Sequence, residues 1–372
     1  MNLPRHRPDF VILIVTLLLV SIGLLSIYSA SIIWAYQELD KPPNYFFVRQ
    51  CIWAFVGLII MLVIMNLPFW RLRKPLKLLI PLSFVMLLMV FLFPGVNGAH
   101  RWIYIGSNTI QPSEIAVLTL VIYLSHLLTK KQDVVNNFKK TVVPVMAIAG
   151  FFSGLILLEP DMDTAALPVV VAFVLLFGAG VPVRHLMGVA LPVASLAILF
   201  IFSSDYRRAR IFSFLDPFSQ QNALGDGFQQ VHSLYAIASG GWVGKGLGRS
   251  VEKFLYLPEP HTDFIFAIFT EEWGTIGGIL LIILFAVLIW RAFRICTLLP
   301  DRFGALLAMG ITATIGIPVV VNIAMVTGAF PVAGIPLPFI TYGGTALLVK
   351  LASMGILLNL SRYTIEESEK RR

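Results

Sequence analysis

Residues 257–290 read LPEPHTDFIFAIFTEEWGTIGGILLIILFAVLIW. The stretch begins as a polar segment broken by Pro258 and Pro260, then passes at residue 262 into an apolar run that reaches residue 290. That run exceeds the ~20 residues an α-helix needs to cross a ~30 Å hydrocarbon core. Inside hydrocarbon every backbone N–H and C=O must be satisfied by the chain itself, so a continuous apolar run is a helix. A strand of a membrane barrel would alternate apolar and polar residues instead. Asp263 stands at the changeover from loop to helix, and Glu271 and Glu272 follow inside the run.

The pattern recurs along the chain. Apolar runs at 10–33, 46–67, 76–95, 111–129, 141–158, 163–181, 184–203, 262–290, 303–329 and 338–361 predict an all-α polytopic membrane protein of about ten transmembrane helices. Of the 372 residues, 58% are hydrophobic and 13% charged, with a mean hydropathy of +0.85. A soluble domain carries about 25% charged residues, so a soluble enzyme is excluded. The first run follows Arg5 and Arg7 and is longer than the ~7–15 residues of a signal-peptide core, so it is expected to remain as a span. Cys51 and Cys296 fall near opposite membrane faces in this topology and read as apolar filler.

Of the 28 basic residues, 18 fall at the ends of spans on alternate sides, among them Arg71, Arg73, Lys74, Lys139, Lys140, Arg291, Arg294 and Arg302. The positive-inside rule makes that side the cytoplasm and puts both termini there. The net charge of +8 is therefore a topology signal and not a nucleic-acid footprint. Carboxylates gather on the other side, from Glu38 and Asp40 through Glu159, Asp161, Asp163 and Asp226 to Glu259 and Asp263. Acidic residues contribute little to topology, so their gathering calls for another cause, and an outward-facing active site is one. Residues 204–262 form one large outer loop, and loops of that length are usually functional. Within it YRRARIFSFLDPF, residues 206–218, suits an interfacial helix. The chain reads as a single membrane domain over 1–372 with a short cytoplasmic tail at 362–372.

Asp263 follows Pro258 and Pro260, with Thr262 as a plausible N-cap, which places it in the first turn of the eighth span. There it is either a capping acid or a general base poised between the helix dipole and partial burial. Glu271 lies about 80° around that helix from Asp263 and Glu272 on the opposite face, so neither makes a close carboxylate pair with it. Their expected role is hydrogen bonding to neighbouring helices. Gly274 and Gly278 permit close helix contact or a kink. Glu159-Pro160-Asp161-Met162-Asp163 forms a turn in which Asp161 and Asp163 either cap the next helix or hold Mg²⁺ or Mn²⁺. Glu114 opens the fourth span after Pro112, and Arg101 is an interfacial anchor or a bidentate pyrophosphate ligand. Residues 331–344, PVAGIPLPFITYGG, read as a rigid, partly re-entrant outer loop. No P-loop, H-E-x-x-H or G-x-S-x-G motif occurs.

YSAS at 28–31, QPSE at 111–114, PD at 160–161, SGG at 239–241, GKGLG at 244–248, LPEPHTDFIFA at 257–267, EE at 271–272 and LPFITYGG at 337–344 together resemble the SEDS family of FtsW, RodA and SpoVE, nearest its FtsW/SpoVE-like branch. The resemblance covers nearly the whole chain. It implies a peptidoglycan glycosyltransferase that polymerises lipid II on the outer face of the bacterial cytoplasmic membrane, beside a class B penicillin-binding protein, with no organic cofactor. It places the catalytic carboxylate at Asp263 and an important cavity glutamate at Glu114. It sets Asp161 in the turn, Arg210 and Lys245 as basic positions of the outer loop, and His232-Ser233 where the family has Gln-Ser. Two further departures matter. Val117 occupies a position where the family often has a lysine paired with Glu114, so Glu114 is expected to lack its cation and tend toward neutrality. Asp163 replaces a glycine. Alternatives of other classes are a lipid II flippase and a non-catalytic scaffold for the transpeptidase. The one-sided clustering of the carboxylates weighs against a midplane transport site.

Overall fold

The architecture follows from the apolar runs, each of which closes into a helix in the computed structural model, which describes residues 6–95, 98–106, 108–225, 227–254 and 256–365. Arg5, Asp226 and the tail from 366 to 372 lie outside the described residues. The helices are α1 (Phe10–Gln37), α2 (Tyr45–Asn66), α3 (Leu76–Met89), α4 (Pro112–Lys130), α5 (Val143–Leu158), α6 (Met162–Gly178) and α7 (Val183–Phe202). They continue as α8 (Asp205–Leu215), α9 (Gln220–Ala223), α10 (Phe228–Gly240), α11 (Ile265–Leu298), α12 (Arg302–Val326) and α13 (Gly344–Leu360). Eight of them are long and apolar enough to cross a membrane; the apolar segments Leu76–Leu92 and Met162–Gly178 are shorter.

The core runs through α13, α12 and α4. α13 packs along α2, and α12 packs against α11, α4 and α6. α7 stands at the rim, with 6% of its apolar window buried against 83% for α13. The large outer loop is not structureless: α8, α9 and α10 occupy it, and α10 lies on α11. One feature is not helical. Ile103–Ile105 (β1) and Asn108–Ile110 (β2) pair antiparallel, with Ile103 opposite Ile110. Two three-residue strands leave no alternating run for periodicity to reveal.

Two boundaries differ from expectation, and both bear on the site. α11 starts at Ile265, not 262, so Asp263 precedes the helix instead of riding in its first turn. Thr262 does not cap it; its hydroxyl donates to the Glu259 carbonyl at 2.8 Å. The last span starts at Gly344, because residues 331–343 run as irregular chain through Pro331, Pro336 and Pro338. This loop turns inward: Ala333 and Leu337, Phe339 and Ile340 are buried. It passes so close to α1 that a Cβ on Gly23 would sit 2.2 Å from the Phe339 carbonyl oxygen.

α11 is broken at Gly274 (φ 71°, ψ 179°). The break opens helical hydrogen bonds, and the loop after α10 takes them up. Lys245 N and Gly246 N donate to the Glu271 and Glu272 carbonyls at 3.0 Å each, while Thr275 N donates to Gly241 O at 2.8 Å. A left-handed φ suits glycine, and a Cβ here would lie 2.4 Å from both Gly244 N and Trp242 O.

Candidate active site

Asp263 is fixed through its backbone. The fully buried Asn322 of α12 donates its Nδ2 to the Asp263 carbonyl at 2.8 Å and to the Ile335 carbonyl at 2.7 Å. Tyr342 N donates to His261 O at 3.0 Å, and Thr341 Oγ1 to Thr262 O at 3.2 Å. The two proline-rich segments that flank α11 and α13 are thereby laced together beside the acid. The Asp263 side chain is half-buried and accepts no hydrogen bond among the described residues. His261, next to it, packs its ring on Phe46 at 4.4 Å; burial pushes its pKa down to about 4, so it stays neutral at pH 7.

The turn between α5 and α6 reaches the same place. Asp163 Oδ2 accepts from Gly334 N at 2.7 Å, and a Cβ on Gly334 would be 3.1 Å from that oxygen and 3.6 Å from Asp263 Oδ2. Asp161 caps α6 by accepting from Thr164 N, and its buried Oδ2 lies 3.6 Å from Arg101 Nε without a hydrogen-bond partner among the described residues. Arg101 also donates to Pro160 O at 2.9 Å. Glu159, fully buried, has no hydrogen-bond partner for either oxygen among the described residues. Arg210 reaches the loop from the other side, Nη1 to Val332 O at 3.4 Å.

Carboxylates crowded at the edge of a low-dielectric medium resist ionisation. Burial, then repulsion from Asp163 and Glu259, pushes Asp263 up to about 7, with Arg101 opposing. Burial, reinforced by Asp161, pushes Glu159 up to about 8. Asp161 rises for the same first reason, with Arg101 the main opposing charge. The site is thus a group of acids in which burial holds Asp263, Glu159 and Asp161 above the ordinary carboxylate range, attended by Arg101 and Arg210.

Glu114 does not lack a cation. Lys350 of α13 places Nζ 3.0 Å from Glu114 Oε2, and both side chains are buried. The partner expected at residue 117, one turn along α4, comes from another helix instead. A lysine within an apolar run is a signal in itself, since an ionisable group there is costly unless partnered.

Other named residues are engaged elsewhere. Lys245 Nζ donates to Glu271 Oε1 at 2.6 Å and Ser239 Oγ at 2.8 Å. Lys253 is buried with Glu272 Oε1 at 2.9 Å and Ser29 Oγ at 3.1 Å. Glu271 and Glu272 therefore tie the outer loop to α11 and α1. His232 Nδ1 is 2.7 Å from Glu252 Oε2, and Ser233 Oγ donates to Val326 O at 2.8 Å. The structure thus brings Asp161, Asp163, Arg101 and Arg210 toward Asp263, and holds Lys245, His232 and Ser233 with other partners. Glu159, Glu259, Asn322 and Lys350 join the account from the structure. No group of three or more metal-ligating side chains occurs among the described residues.

A family model described as "Cell cycle protein", covering FtsW, RodA and SpoVE, matches residues 9–366. Stage V sporulation protein E of Bacillus subtilis (strain 168) is 43% identical over 369 residues, covering 98% of this chain and all of that protein. A probable peptidoglycan glycosyltransferase FtsW of Trichlorobacter lovleyi is 39% identical over 361 residues, 95% of this chain and 93% of the relative. A solved chain from a peptidoglycan synthase complex that coordinates polymerization and crosslinking superposes with a TM-score of 0.78 at 28% identity, over 97% of this chain and 99% of its own. Thermus thermophilus rod shape determining protein RodA shares the fold, with a TM-score of 0.68 at 24% identity over 97% and 98% of the two chains.

Proposed function

The chain belongs to the FtsW/RodA/SpoVE family, and from that membership we propose how its acid cluster works. The protein is a multi-pass membrane peptidoglycan glycosyltransferase. Its substrate, in this reading, is lipid II, and the site faces the outside of the cytoplasmic membrane. The observation that carries the reading is the half-buried Asp263, anchored by its backbone, free of side-chain hydrogen bonds and raised to about 7. A base works best when its pKa lies near the working pH.

Asp263, as carboxylate, takes the proton from the 4-hydroxyl of the acceptor GlcNAc. That oxygen forms a bond to the anomeric carbon of the donor MurNAc, and the bond from that carbon to undecaprenyl pyrophosphate breaks. The configuration inverts, and the departing pyrophosphate carries the electron pair. Arg101 and Arg210, which flank the turn and the loop around Asp263, offset charge on the leaving group. Asp163 holds Gly334, and so the loop, in place. Glu114–Lys350 sets the packing of α4 against α13 behind the site.

A divalent cation fits the remaining donor set in one way. Mg²⁺ commonly uses one or two carboxylates together with substrate phosphates, and Asp161 Oδ2 is a buried oxygen without a hydrogen-bond donor among the described residues. Asp161 would hold such an ion jointly with the pyrophosphate, and the ion would neutralise charge there; Asp163 is already committed to Gly334. The partner in this reading is a class B penicillin-binding protein, by analogy with the synthase complex that the chain resembles.

Supplying labelled lipid II to the purified protein, alone and with that partner, tests the reading. It predicts glycan strands together with undecaprenyl pyrophosphate, one released per bond formed. Transport of lipid II across reconstituted vesicles with no strands and no released pyrophosphate would replace it with the flippase.

A further inference from the structure

Asp263 stands just outside α11, and the hydrogen bonds around it show why. In a regular helix the N–H of residue i donates to the carbonyl of residue i−4, so Ala267 N would reach Asp263 O. Instead Ala267 N donates to Phe264 O at 2.9 Å, and Ile268 N shares that oxygen at 3.4 Å. No backbone N–H reaches Asp263 O among the described residues. The donor it receives is Nδ2 of Asn322, at 2.8 Å. A side chain 59 residues away thus takes the place of the helix's own bond.

The same amide reaches the re-entrant loop, where Nδ2 also donates to Ile335 O at 2.7 Å. Both partners are carbonyl oxygens, which only accept, so the nitrogen must face them and both of its donors are used. Asn322 is fully buried within IPVVVNIAMV, residues 317–326. An amide in such a place is costly unless its polar atoms are met, and Oδ1 has no hydrogen-bond partner among the described residues. The chain bears that cost at a point where four successive loop residues are held from outside. Arg210 Nη1 donates to Val332 O at 3.4 Å, Ala333 N to Met325 Sδ at 3.0 Å, Gly334 N to Asp163 Oδ2 at 2.7 Å, and Asn322 to Ile335 O. Of these four holds, the one from Asn322 also grips the chain at Asp263. It sets Asp263 against the loop that Asp163 binds, close enough that a Cβ on Gly334 would lie 3.1 Å from Asp163 Oδ2 and 3.6 Å from Asp263 Oδ2.

We propose that Asn322 is a positioning residue of the transfer reaction: by holding the Asp263 carbonyl it keeps the acid out of the first turn of α11 and beside the loop that Asp163 binds. The inference rests on the reading of Asp263 as the base. Without the amide, Asp263 O can accept from Ala267 N, and α11 grows back over residues 263–264. The Asp263 side chain then turns with the helix, away from its present neighbours. Those neighbours are Asp163 and Asp161 at the start of α6, Glu259 in its own segment, and Arg101 ahead of β1. Three of the four are acids, so leaving them favours the carboxylate.

Asn322→Leu, which keeps the size of the side chain and removes both donors, tests it in the purified full-length protein with labelled lipid II and the partner. At the plateau pH kcat should fall about tenfold or more, since a misplacement of about 1 Å can cost ~10²-fold, while KM stays within about twofold. The acidic limb of kcat/KM against pH should move to lower pH. Met325→Leu, which releases Ala333 of the same loop from the same helix, should leave that limb in place. An unchanged kcat or an unmoved limb in Asn322→Leu, or an equal shift in Met325→Leu, would overturn the proposal. If Asn322→Leu fails to fold, Asn322→Gln, which displaces both donors by one methylene, is read the same way: a limb at lower pH supports the proposal and an unmoved limb overturns it. Infrared titration of the Asp263 carboxyl, identified as the band lost in Asp263→Asn, follows the placement without catalysis. A band that titrates at lower pH in Asn322→Leu supports the positioning even if Asp263→Asn still makes strands, a result that would remove Asp263 as the base. A band that stays in place while Asp263→Asn makes no strands overturns the positioning and leaves the base.

Discussion

Lys350 Nζ lies 3.0 Å from Glu114 Oε2, a buried ion pair between α13 and α4 in a chain whose residue 117 is valine. Removing one member of such a pair leaves a buried charge alone and costs about 3–5 kcal/mol. Lys350→Met should therefore lower the unfolding temperature in detergent and reduce strand synthesis. Adding Val117→Lys should restore both, because residues three apart on a helix are neighbours. A neutral Lys350→Met variant would mean the pair is incidental.

Asp263 titrates near 7 because it is buried and faces Asp163 and Glu259. A base must be ionised to act, so the rate of strand synthesis should fall about tenfold per pH unit below 7 and level off above it. The expected measurement is kcat/KM against pH, from initial rates at lipid II well below saturation, which reports the free enzyme. A limb centred at the ordinary carboxylate value near 4 would contradict this assignment.

Asp163→Asn keeps an acceptor for Gly334 N and removes the leading like charge on Asp263. The acidic limb of the same profile should then move to lower pH, with activity persisting where the wild type has lost it. A limb that stays in place would show that Asp163 acts through the loop alone.

Glu159 gives the opposite dependence in stability. Its pKa is raised from the ordinary 4.5 to about 8 in the folded state, so its contribution is fully present below 4.5 and is lost as pH rises through about 8. The unfolding temperature should show a component that declines over that window, and Glu159→Gln should flatten it.

Gly274→Ala would force a Cβ to 2.4 Å from two backbone atoms at a left-handed φ. Strain of this kind costs about 1–3 kcal/mol before the clash is counted. The outer loop should loosen, seen as faster hydrogen exchange at Lys245 and Gly246, whose N–H groups bond to the helix there.

The helices were legible because each apolar run must satisfy its backbone within itself. Asp263 was legible as a carboxylate at a change from loop to span. What stayed hidden are contacts between residues far apart in sequence. Lys350 finds Glu114 across 236 residues, and Asp163 finds Gly334 across 171. Glu271 and Glu272 are bound by Lys245 and Lys253, which the sequence did not reveal, and the helical angle that set them apart from Asp263 does not apply, because Asp263 precedes α11. Thr262 looked like a cap because prolines precede it, yet the hydroxyl turns back to Glu259 and the helix begins later.

The central claim is that Asp263 is the base, and Asp263→Asn tests it most directly, since the shape remains and the charge goes. Purified wild-type and variant protein, each matched for unfolding temperature and given the same labelled lipid II and partner, are compared for glycan strands. The variant should lose at least about 10²-fold in rate, the contribution of a positioned general base. Strand synthesis by Asp263→Asn within a few-fold of wild type would contradict the account.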